Sequence, residues 1–307
     1  MKRILIIFLL AVLLLIFGGC NSETKPLDES FSITDIRNNR FDITKNARVV
    51  SCYGSFADMW LLSGGKLAGV TKDAVEEHKL ELDDTVQVVG TVKEINLEKL
   101  VRLNPNYVIL SDEITAHHNL ESSLKAMNIP YGFFRVDSFE DYQSVMKQFC
   151  DINQRPDLYQ KNVLDIKENI DNKLKTLSEG QDASFLVMRS FSTGIKVKND
   201  NFVVDMLNEL GAKDICDKSP SLLKDFSLEQ IILDDPDFIF VLTMGDEKAA
   251  LSYLETTMKQ NPAWSNLSAV KNNRLIVLPK ELFHYKPNNR WDESYEYLAK
   301  IIYPEAF

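Results

Sequence analysis

The densest group of side chains that could take part in chemistry lies in one short segment near the C-terminus. His284, Tyr285, Arg290 and Trp291 fall within eight residues, between a predicted strand and a predicted helix. Arginine binds anionic oxygens through paired hydrogen bonds, aromatic rings cover broad ligand faces, and imidazole can bind a metal. The segment therefore predicts a binding site for a bulky, partly aromatic, anionic ligand.

Further candidates follow other predicted strands. In open α/β sheets, ligands bind beyond the carboxyl ends of the strands, so the loops at those ends are the places to search. The candidate ligand-binding residues in these loops are Tyr53, Lys72, Arg135, Arg189, Phe191 and Met244. The basic members would pair with anionic groups, and the aromatic ones would cover the ligand. Phe133 and Phe134 are adjacent, so only one of them can face a ligand if both lie on a strand.

Two repeated phrases indicate that the chain contains two lobes of similar design. Residues 96–110 align with residues 227–241, so that a Leu-Glu pair lies eight positions before Pro105 in one copy and before Pro236 in the other. Upstream of each copy, an Asp-Met pair begins six positions before a glycine. Two similar lobes enclose a cleft, and clefts between domains are preferred ligand sites.

Strands and helices alternate in both halves of the chain. Apolar runs that end at turn residues predict strands, and apolar residues at three- and four-residue steps predict helices. This alternation is typical of an α/β fold, here two Rossmann-like lobes with mainly parallel sheets. Residues 157–177 predict one helix of roughly 30 Å, a stiff connection that limits closure of the lobes. The predicted domains are an N-terminal lobe at 32–155, an interdomain helix at 156–179 and a C-terminal lobe at 180–307.

The N-terminus resembles a bacterial lipoprotein signal. A basic start is followed by apolar residues 4–17, and then by two glycines and Cys20. The apolar run is shorter than the ~20 residues that a membrane span needs. The sequence therefore predicts a signal peptide with a lipobox at 1–20, lipid on Cys20 that anchors the chain to the membrane, and a flexible tether at 21–31. The alternative is an uncleaved N-terminal anchor, and either arrangement leaves the lobes outside the cytoplasm.

The composition is that of a globular protein with an acidic balance. The chain has 307 residues, of which 45% are hydrophobic and 26% charged, and a formal net charge of −10. This charge argues against nucleic acid as a partner. Cys52, Cys150 and Cys216 are too widely spaced for a disulfide framework, so they are predicted to be buried or half-buried thiols, with one disulfide left open. His117 and His118 are predicted to lie on the surface at the start of a helix.

The lipobox, a short hairpin at 32–43, two α/β lobes, the helical connection and the repeated Leu-Glu phrase together resemble one family. They resemble the substrate-binding lipoproteins of ABC importers for ferric siderophores, haem and cobalamin, over the whole mature chain. The resemblance implies a class III periplasmic-binding-protein-like fold and a monomer that delivers its ligand to a permease. In this family a glutamate on each lobe docks on arginines of the permease dimer, which implies this role for Glu98 and Glu229.

The function that follows is an extracytoplasmic receptor that captures a ferric siderophore between its lobes, performs no chemistry and needs no cofactor. Haem or cobalamin is the alternative ligand, in which case His284, or Tyr53 or Tyr285 for haem, would bind the metal. A second alternative is a lipoprotein hydrolase that uses Ser55 or Ser190 with His284, against which the sequence lacks a G-x-S-x-G motif. A third is an adhesin or structural lipoprotein with a macromolecular partner.

Overall fold

The computed structural model describes residues 30–177 and 183–306 of the chain. The predicted signal peptide, the lipid site at Cys20, most of the tether and the end of the predicted interdomain helix lie outside these ranges, so those inferences remain predictions. Within the described ranges, no helix is both long and apolar enough to span a membrane. The described chain begins with the predicted hairpin, in which β1 (Ser30–Thr34) pairs antiparallel with β2 (Arg40–Thr44).

The first lobe is built on a five-stranded sheet in which all neighbouring strands run parallel. The strands are β3 (Val49–Ser51), β4 (Leu67–Val70), β5 (Gln87–Val88), β6 (Tyr107–Ser111) and β7 (Tyr131–Phe134), in the order β5-β4-β3-β6-β7. The helices are α1 (Gly54–Leu62), α2 (Lys72–Glu76), α3 (Leu97–Arg102), α4 (Thr115–Ala126) and α5 (Phe139–Ile152). Every residue of β6 is buried, as expected for a parallel strand with helices on both faces of the sheet.

One long helical segment joins the two lobes, but it is not a uniform α-helix. It consists of α6 (Pro156–Tyr159), a π-helical turn at Gln160–Leu164 and α7 (Asp165–Thr176). A π-helical turn shifts the backbone hydrogen bonds by one residue and widens the helix. The Tyr142 hydroxyl donates a hydrogen bond of 2.9 Å to the Asn162 carbonyl in this turn. The irregular turn therefore attaches the connecting helix to α5 of the first lobe.

The second lobe repeats the parallel sheet and adds one antiparallel strand. Its strands are β8 (Ser184–Phe191), β9 (Gly194–Val197), β10 (Lys213–Asp214), β11 (Phe238–Thr243) and β12 (Leu275–Val277), in the order β10-β8-β11-β12 with β9 antiparallel to β8. Its helices are α8 (Phe202–Glu209), α9 (Leu228–Asp234), α10 (Glu247–Gln260), α11 (Ser268–Lys271), α12 (Lys280–Phe283) and α13 (Trp291–Ile302). Short 3-10 turns lie at Ile215–Asp217, Pro220–Leu223, Pro262–Asn266, Asn288–Arg290 and Pro304–Ala306.

The sequence repeat corresponds to matching structure in the two lobes. The α3 helix and the α9 helix begin at equivalent N-caps, because the side chains of Asn96 and Ser227 each accept a hydrogen bond from the backbone N–H three residues later. Both helices are followed by a residue in the left-handed region, Asn104 with φ 47° and Asp235 with φ 41°. Asparagine and aspartate tolerate this conformation, and the proline that follows cannot continue the helix.

The residue after each proline of the repeat connects two neighbouring strands. The Asn106 side chain accepts a hydrogen bond of 2.7 Å from the backbone N–H of Arg48, directly before β3. At the equivalent place, the Asp237 carboxylate accepts one of 2.8 Å from the backbone N–H of Ser184, at the start of β8. The repeated phrase therefore encodes the same packing of a helix, a turn and two strands in both lobes.

Three elements near the strand ends differ from the predicted loops. Lys72 begins α2 instead of lying in a loop, because Thr71 already has the extended conformation of an N-cap. Residues 189–194 are not an open loop, since β8 continues to Phe191 and β9 pairs back onto it. The segment after β12 contains the short helix α12 before it reaches His284.

The three cysteines of the lobes are separate buried thiols within the described chain. Desolvation is the main cause that raises the pKa of Cys150 and of Cys216 to about 12. Desolvation also raises the pKa of Cys52, and the charge of Asp73 adds to the effect. All three thiols are therefore protonated at neutral pH and act as small apolar core residues.

Candidate functional site

A cavity of about 220 Å³ lies between the two lobes, at the carboxyl ends of the strands. Its charged and polar lining residues are Tyr53, Ser111, Glu113 and Asp137 from the first lobe, and Arg189, Asp200, Asn201, His284 and Lys286 from the second. Met244 and the aromatic rings of Phe202 and Phe283 supply apolar lining. The cavity occupies the position at which open α/β sheets bind ligands.

The structure brings four of the predicted ligand-binding residues to this cavity: Tyr53, Arg189, Met244 and His284. Each is positioned by the end of a strand or by the element that follows it. Tyr53 is the N-cap of α1 after β3, and His284 follows the last turn of α12. Arg189 lies on β8, and Met244 directly follows β11. Of these four residues, Tyr53 belongs to the first lobe, and Arg189, Met244 and His284 belong to the second.

Three predicted basic residues lie elsewhere, and each pairs with a carboxylate close to it in the sequence. Lys72 lies 3.8 Å from Glu76, and Arg290 lies 2.8 Å from Glu293. Arg135 lies 2.8 Å from Asp137 and lines a different cavity, between the hairpin and α5. The prediction that all these charges face one cleft is therefore corrected, since none of the three lines the interlobe cavity.

Three predicted aromatic residues also lie outside the cavity lining. Trp291 is only 1% exposed, because the first residue of α13 faces the core between the lobes. Its ring packs on those of Phe139 and Phe202 at 5.7 and 5.3 Å. Tyr285 packs behind the cavity against His284, at 5.1 Å between ring centroids. Phe191 lies at the end of the β8–β9 hairpin and is half-buried outside the cavity lining.

Lys286, which is not among the predicted ligand-binding residues, connects the two lobes across the cavity. Its side chain is only 9% exposed, and its Nζ lies 3.1 Å from Glu113 Oε2 and 3.6 Å from Asp137 Oδ1. Both carboxylates belong to the first lobe and the lysine to the second. No sequence pattern indicates this contact, because the partners are far apart in the chain.

Arg189 is the cavity's cation that remains available for a ligand. The guanidinium is half-buried, and within residues 30–177 and 183–306 it forms no ion pair. Lys286 is neutralised by the first lobe, and Asp200 at the rim lies 3.5 Å from Lys198. A half-buried guanidinium without a carboxylate favours an anionic group that binds through two parallel hydrogen bonds.

His284 presents a neutral imidazole to the cavity. Desolvation is the largest cause that lowers its pKa to about 4, and the positive charges of Lys280 and Arg189 add to the effect. The neutral ring can accept a hydrogen bond or bind a metal centre, and the Met244 thioether lines the same cavity. No cluster of three or more His, Cys, Asp or Glu side chains suited to a bare metal ion occurs in the described part of the chain.

Asn288 holds the segment that crosses from the second lobe back to the first. Its side-chain amide donates hydrogen bonds of 3.0 Å to the Ser55 carbonyl and 2.7 Å to Asp58 Oδ2. The residue is buried and has φ 52°, a conformation that asparagine adopts more readily than most residues. Burial raises the pKa of Asp58, while the bond from Asn288 opposes that rise. This contact fixes the segment that carries His284 and Lys286, and the Pro-Asn-Asn sequence was the signal that could have indicated it.

His117 is fully buried, so the prediction that it lies on the surface is wrong. Its Nδ1 accepts a hydrogen bond of 2.9 Å from the Ser111 backbone N–H, and its Nε2 lies 3.1 Å from the Val92 carbonyl. The ring thereby connects the end of β6 to a loop that is distant in sequence. His118, by contrast, lies at the surface beside Asp112.

Because His117 is buried, protein stability should depend on pH. Burial lowers the pKa of His117 to about 4, whereas the unfolded chain binds the proton near pH 6.5. The free energy of unfolding therefore falls as the pH drops from 6.5 towards 4, by about 2 kcal/mol from this group at pH 4.5. Urea denaturation at pH 7 and pH 4.5 measures how far the free energy of unfolding falls between the two. This fall should be smaller by that amount in His117→Gln than in wild type. His118→Gln is the control, and its free energy of unfolding should fall as much as that of wild type. A fall in His117→Gln that equals the wild-type fall would contradict this role of His117.

Comparison with known proteins identifies the family. A profile described as periplasmic binding protein matches residues 49–282. The chain belongs to this family. Among curated proteins, this periplasmic binding protein is similar to the high-affinity heme uptake system protein IsdE of Staphylococcus aureus. The two are 22% identical over 224 residues, which is 72% of this chain and 75% of IsdE.

Solved structures show the same two-lobed fold. Staphylococcus aureus SirA complexed with staphyloferrin B has a TM-score of 0.69 at 20% identity, over 88% of this chain and 97% of that one. Staphylococcus aureus IsdE complexed with heme has a TM-score of 0.67 at 19% identity, over 84% and 99%. The vitamin B12 binding protein BtuF of Vibrio cholerae has a TM-score of 0.65 at 16% identity, over 85% and 97%. These similarities confirm the predicted fold class.

The serines of the hydrolase alternative are not arranged for catalysis with His284 in this periplasmic binding protein. The Ser190 hydroxyl is buried and donates a hydrogen bond of 2.9 Å to the Ala250 carbonyl. The Ser55 hydroxyl lies 3.4 Å from His78 Nε2, and the residue is fully buried. A nucleophile must reach both its base and its substrate, so these positions do not favour nucleophilic catalysis.

Proposed function

We propose that this chain is the extracytoplasmic substrate-binding component of an ABC importer, and that it captures a ferric siderophore between its lobes without converting it. The observation that carries the proposal is the guanidinium of Arg189 in the interlobe cavity, which forms no ion pair with any residue that the structure describes. Siderophores present anionic oxygens to such a group, and they hold iron without a ligand from the protein. The tyrosine and phenylalanine rings of the cavity supply contact area for a bulky chelate.

The ligand should enter through a widening of the cleft. The cavity of about 220 Å³ is smaller than the ~300–1,000 Å³ typical of sites for small molecules. The contacts of Lys286 with Glu113 and Asp137 hold the two walls together. Ligand entry therefore requires these ion pairs to separate, while the long connecting helix keeps the movement of the lobes small.

Haem is the second candidate, and His284 is the specific observation that favours it. A neutral imidazole and the Met244 thioether line one cavity, and both are side chains that bind haem iron. Arg189 would then pair with a propionate of the haem. The similarity to IsdE, whose name states that it serves heme uptake, points in the same direction.

Delivery should use a permease dimer and a lipid anchor. Glu98 and Glu229 are exposed and lie in the first turns of the equivalent helices α3 and α9. One acid on each lobe matches a twofold-symmetric permease that presents basic residues. Lipid on Cys20 and the tether that follows would keep the lobes beside that permease in the membrane.

Titration of the mature chain with candidate ligands tests this proposal. We expect calorimetry to show saturable binding of one ligand per chain with submicromolar affinity for a ferric catecholate, carboxylate or hydroxamate chelate. Haem and cobalamin form the second arm, in which a shift of the haem absorbance that is lost in His284→Ala would favour the haem alternative. A chain that binds none of the panel, but hydrolyses simple esters, would contradict the proposal.

A further inference from the structure

The two helices proposed to dock on the permease carry different charges. The α3 helix contains Glu98 with Lys99 and Arg102, which gives it a net charge of +1 (two cations and one acid). The α9 helix contains Glu229 and Asp234 without a basic residue, which gives it −2. The lobes share their fold and their repeat, so this difference is confined to the side chains that the two helices present.

The docking glutamates also differ in whether they are free to bind a partner. Glu98 lies 2.5 Å from Arg102 in an ion pair within its own helix. Glu229 has no ion pair within the described ranges, and it is exposed. A partner must therefore compete with Arg102 for Glu98, whereas it can bind Glu229 directly. The pair within α3 is exposed, so this competition weakens docking without preventing it.

Leu233 occupies the place in α9 that Arg102 occupies in α3. It is 78% exposed, more than any other large hydrophobic residue in the described part of the chain, where the next is 46%. Residues four apart lie on the same face of a helix, so Leu233 is adjacent to Glu229. The second lobe therefore presents a free acid beside an exposed apolar side chain at the place where the first lobe presents an ion pair.

We infer that the two lobes dock unequally, and that the second lobe makes the main contact through Leu233 in an apolar pocket of one permease subunit. This inference rests on the proposed function. Glu229 would pair with a basic residue at the rim of that pocket, and the negative charge of α9 would attract the basic surface. On the first lobe, Glu98 must leave its ion pair with Arg102 before it pairs with a cation of the other permease subunit. Glu98 therefore contributes less than Glu229 to the free energy of binding. A protein of pseudo-twofold design thereby binds a twofold partner with unequal contacts on its two lobes.

Site-specific photocrosslinking in the source bacterium tests this inference. The full lipidated chain would carry photoreactive benzoylphenylalanine at position 233, at position 102, or at position 164 as the control. Leu164 is a partly exposed hydrophobic residue on the helix between the lobes. We expect adducts with a permease subunit, identified by mass spectrometry, at a severalfold higher yield from position 233 than from position 102, and none from position 164.

A substitution gives an independent measure. Leu233→Arg should lower the affinity for the permease in nanodiscs about tenfold, whereas Leu164→Arg should leave it unchanged. Equal adduct yields at 233 and 102, or full affinity in Leu233→Arg, would overturn the inference and leave the proposed function intact. If neither position gives a permease adduct, and reversal of both docking glutamates leaves import unchanged, the docking part of the proposed function fails as well.

Discussion

Reversal of both Glu98 and Glu229 to lysine is expected to abolish import while ligand affinity stays at the wild-type value. Both carboxylates are exposed and neither residue lines the cavity, so the change leaves the ligand site intact. Two lysines would face the basic residues of the permease, and like charges across an interface cost several kcal/mol. Uptake of a labelled ligand by cells and calorimetry on the purified variant measure the two effects separately.

The matched control for this reversal is Glu255→Lys. Glu255 is an exposed glutamate that forms an ion pair with the residue four positions later, as Glu98 does, but it lies on α10. We expect normal import in this variant, which would exclude a general effect of reversing a surface charge. If the double reversal imports its ligand at the wild-type rate, these two glutamates are not the docking residues.

Arg189→Ala is expected to weaken binding of an anionic ferric chelate about 10- to 100-fold, because hydrogen bonds to a charged group are worth ~1.5–3 kcal/mol. The loss arises because Arg189 forms no ion pair within the described ranges, whereas Lys286 must separate from Glu113 and Asp137 before it can bind a ligand. Arg189→Lys should recover only part of the affinity, because an ammonium cannot form the paired hydrogen bonds of a guanidinium. Calorimetric titration with the chelate that wild type binds best measures both variants.

Arg290→Ala provides the control for the Arg189 experiment. The Arg290 guanidinium already pairs with Glu293 outside the cavity, so its removal should leave ligand affinity unchanged. Both arginines were predicted to bind the ligand, and the structure places only Arg189 in the cavity lining. Equal losses of ligand affinity in Arg189→Ala and Arg290→Ala would contradict the assignment of Arg189 as the cation that binds the ligand. Unchanged affinity in both variants would remove the argument for an anionic ligand.

The sequence was sufficient to predict the architecture because the signals for the lobes are local. Residues 107–111 and 238–243 are compact apolar runs that follow an Asn-Pro-Asn or Asp-Pro-Asp turn, and both form the predicted strands. Asn96 and Ser227 are N-caps by residue type alone, and each begins a helix in the repeat. Local propensity, turn chemistry and pattern agree at these places, which is why the repeat identifies two lobes.

The candidate site was predicted less completely, because contacts between residues far apart in the sequence determine which of its charged side chains form ion pairs. Arg290 could have been discounted from the sequence, since Glu293 lies one helical turn away. Lys286 could not have been assigned, because Glu113 and Asp137 approach it only when the lobes pack together. Trp291 illustrates the same limit. It lies beside the predicted ligand residues in sequence, but its side chain fills the core between the lobes instead of the cavity.

The most direct test of the central claim is uptake of radioactive iron by cells of the source bacterium that lack this chain. The iron would be supplied as the chelate that the purified protein binds, and the full lipidated chain would be restored as wild type or as Arg189→Ala. We expect that uptake requires the chain, returns when the wild-type chain is restored and stays low with Arg189→Ala. Uptake that is unchanged by loss of the chain, for every chelate and for haem, would contradict its role as the receptor of an importer.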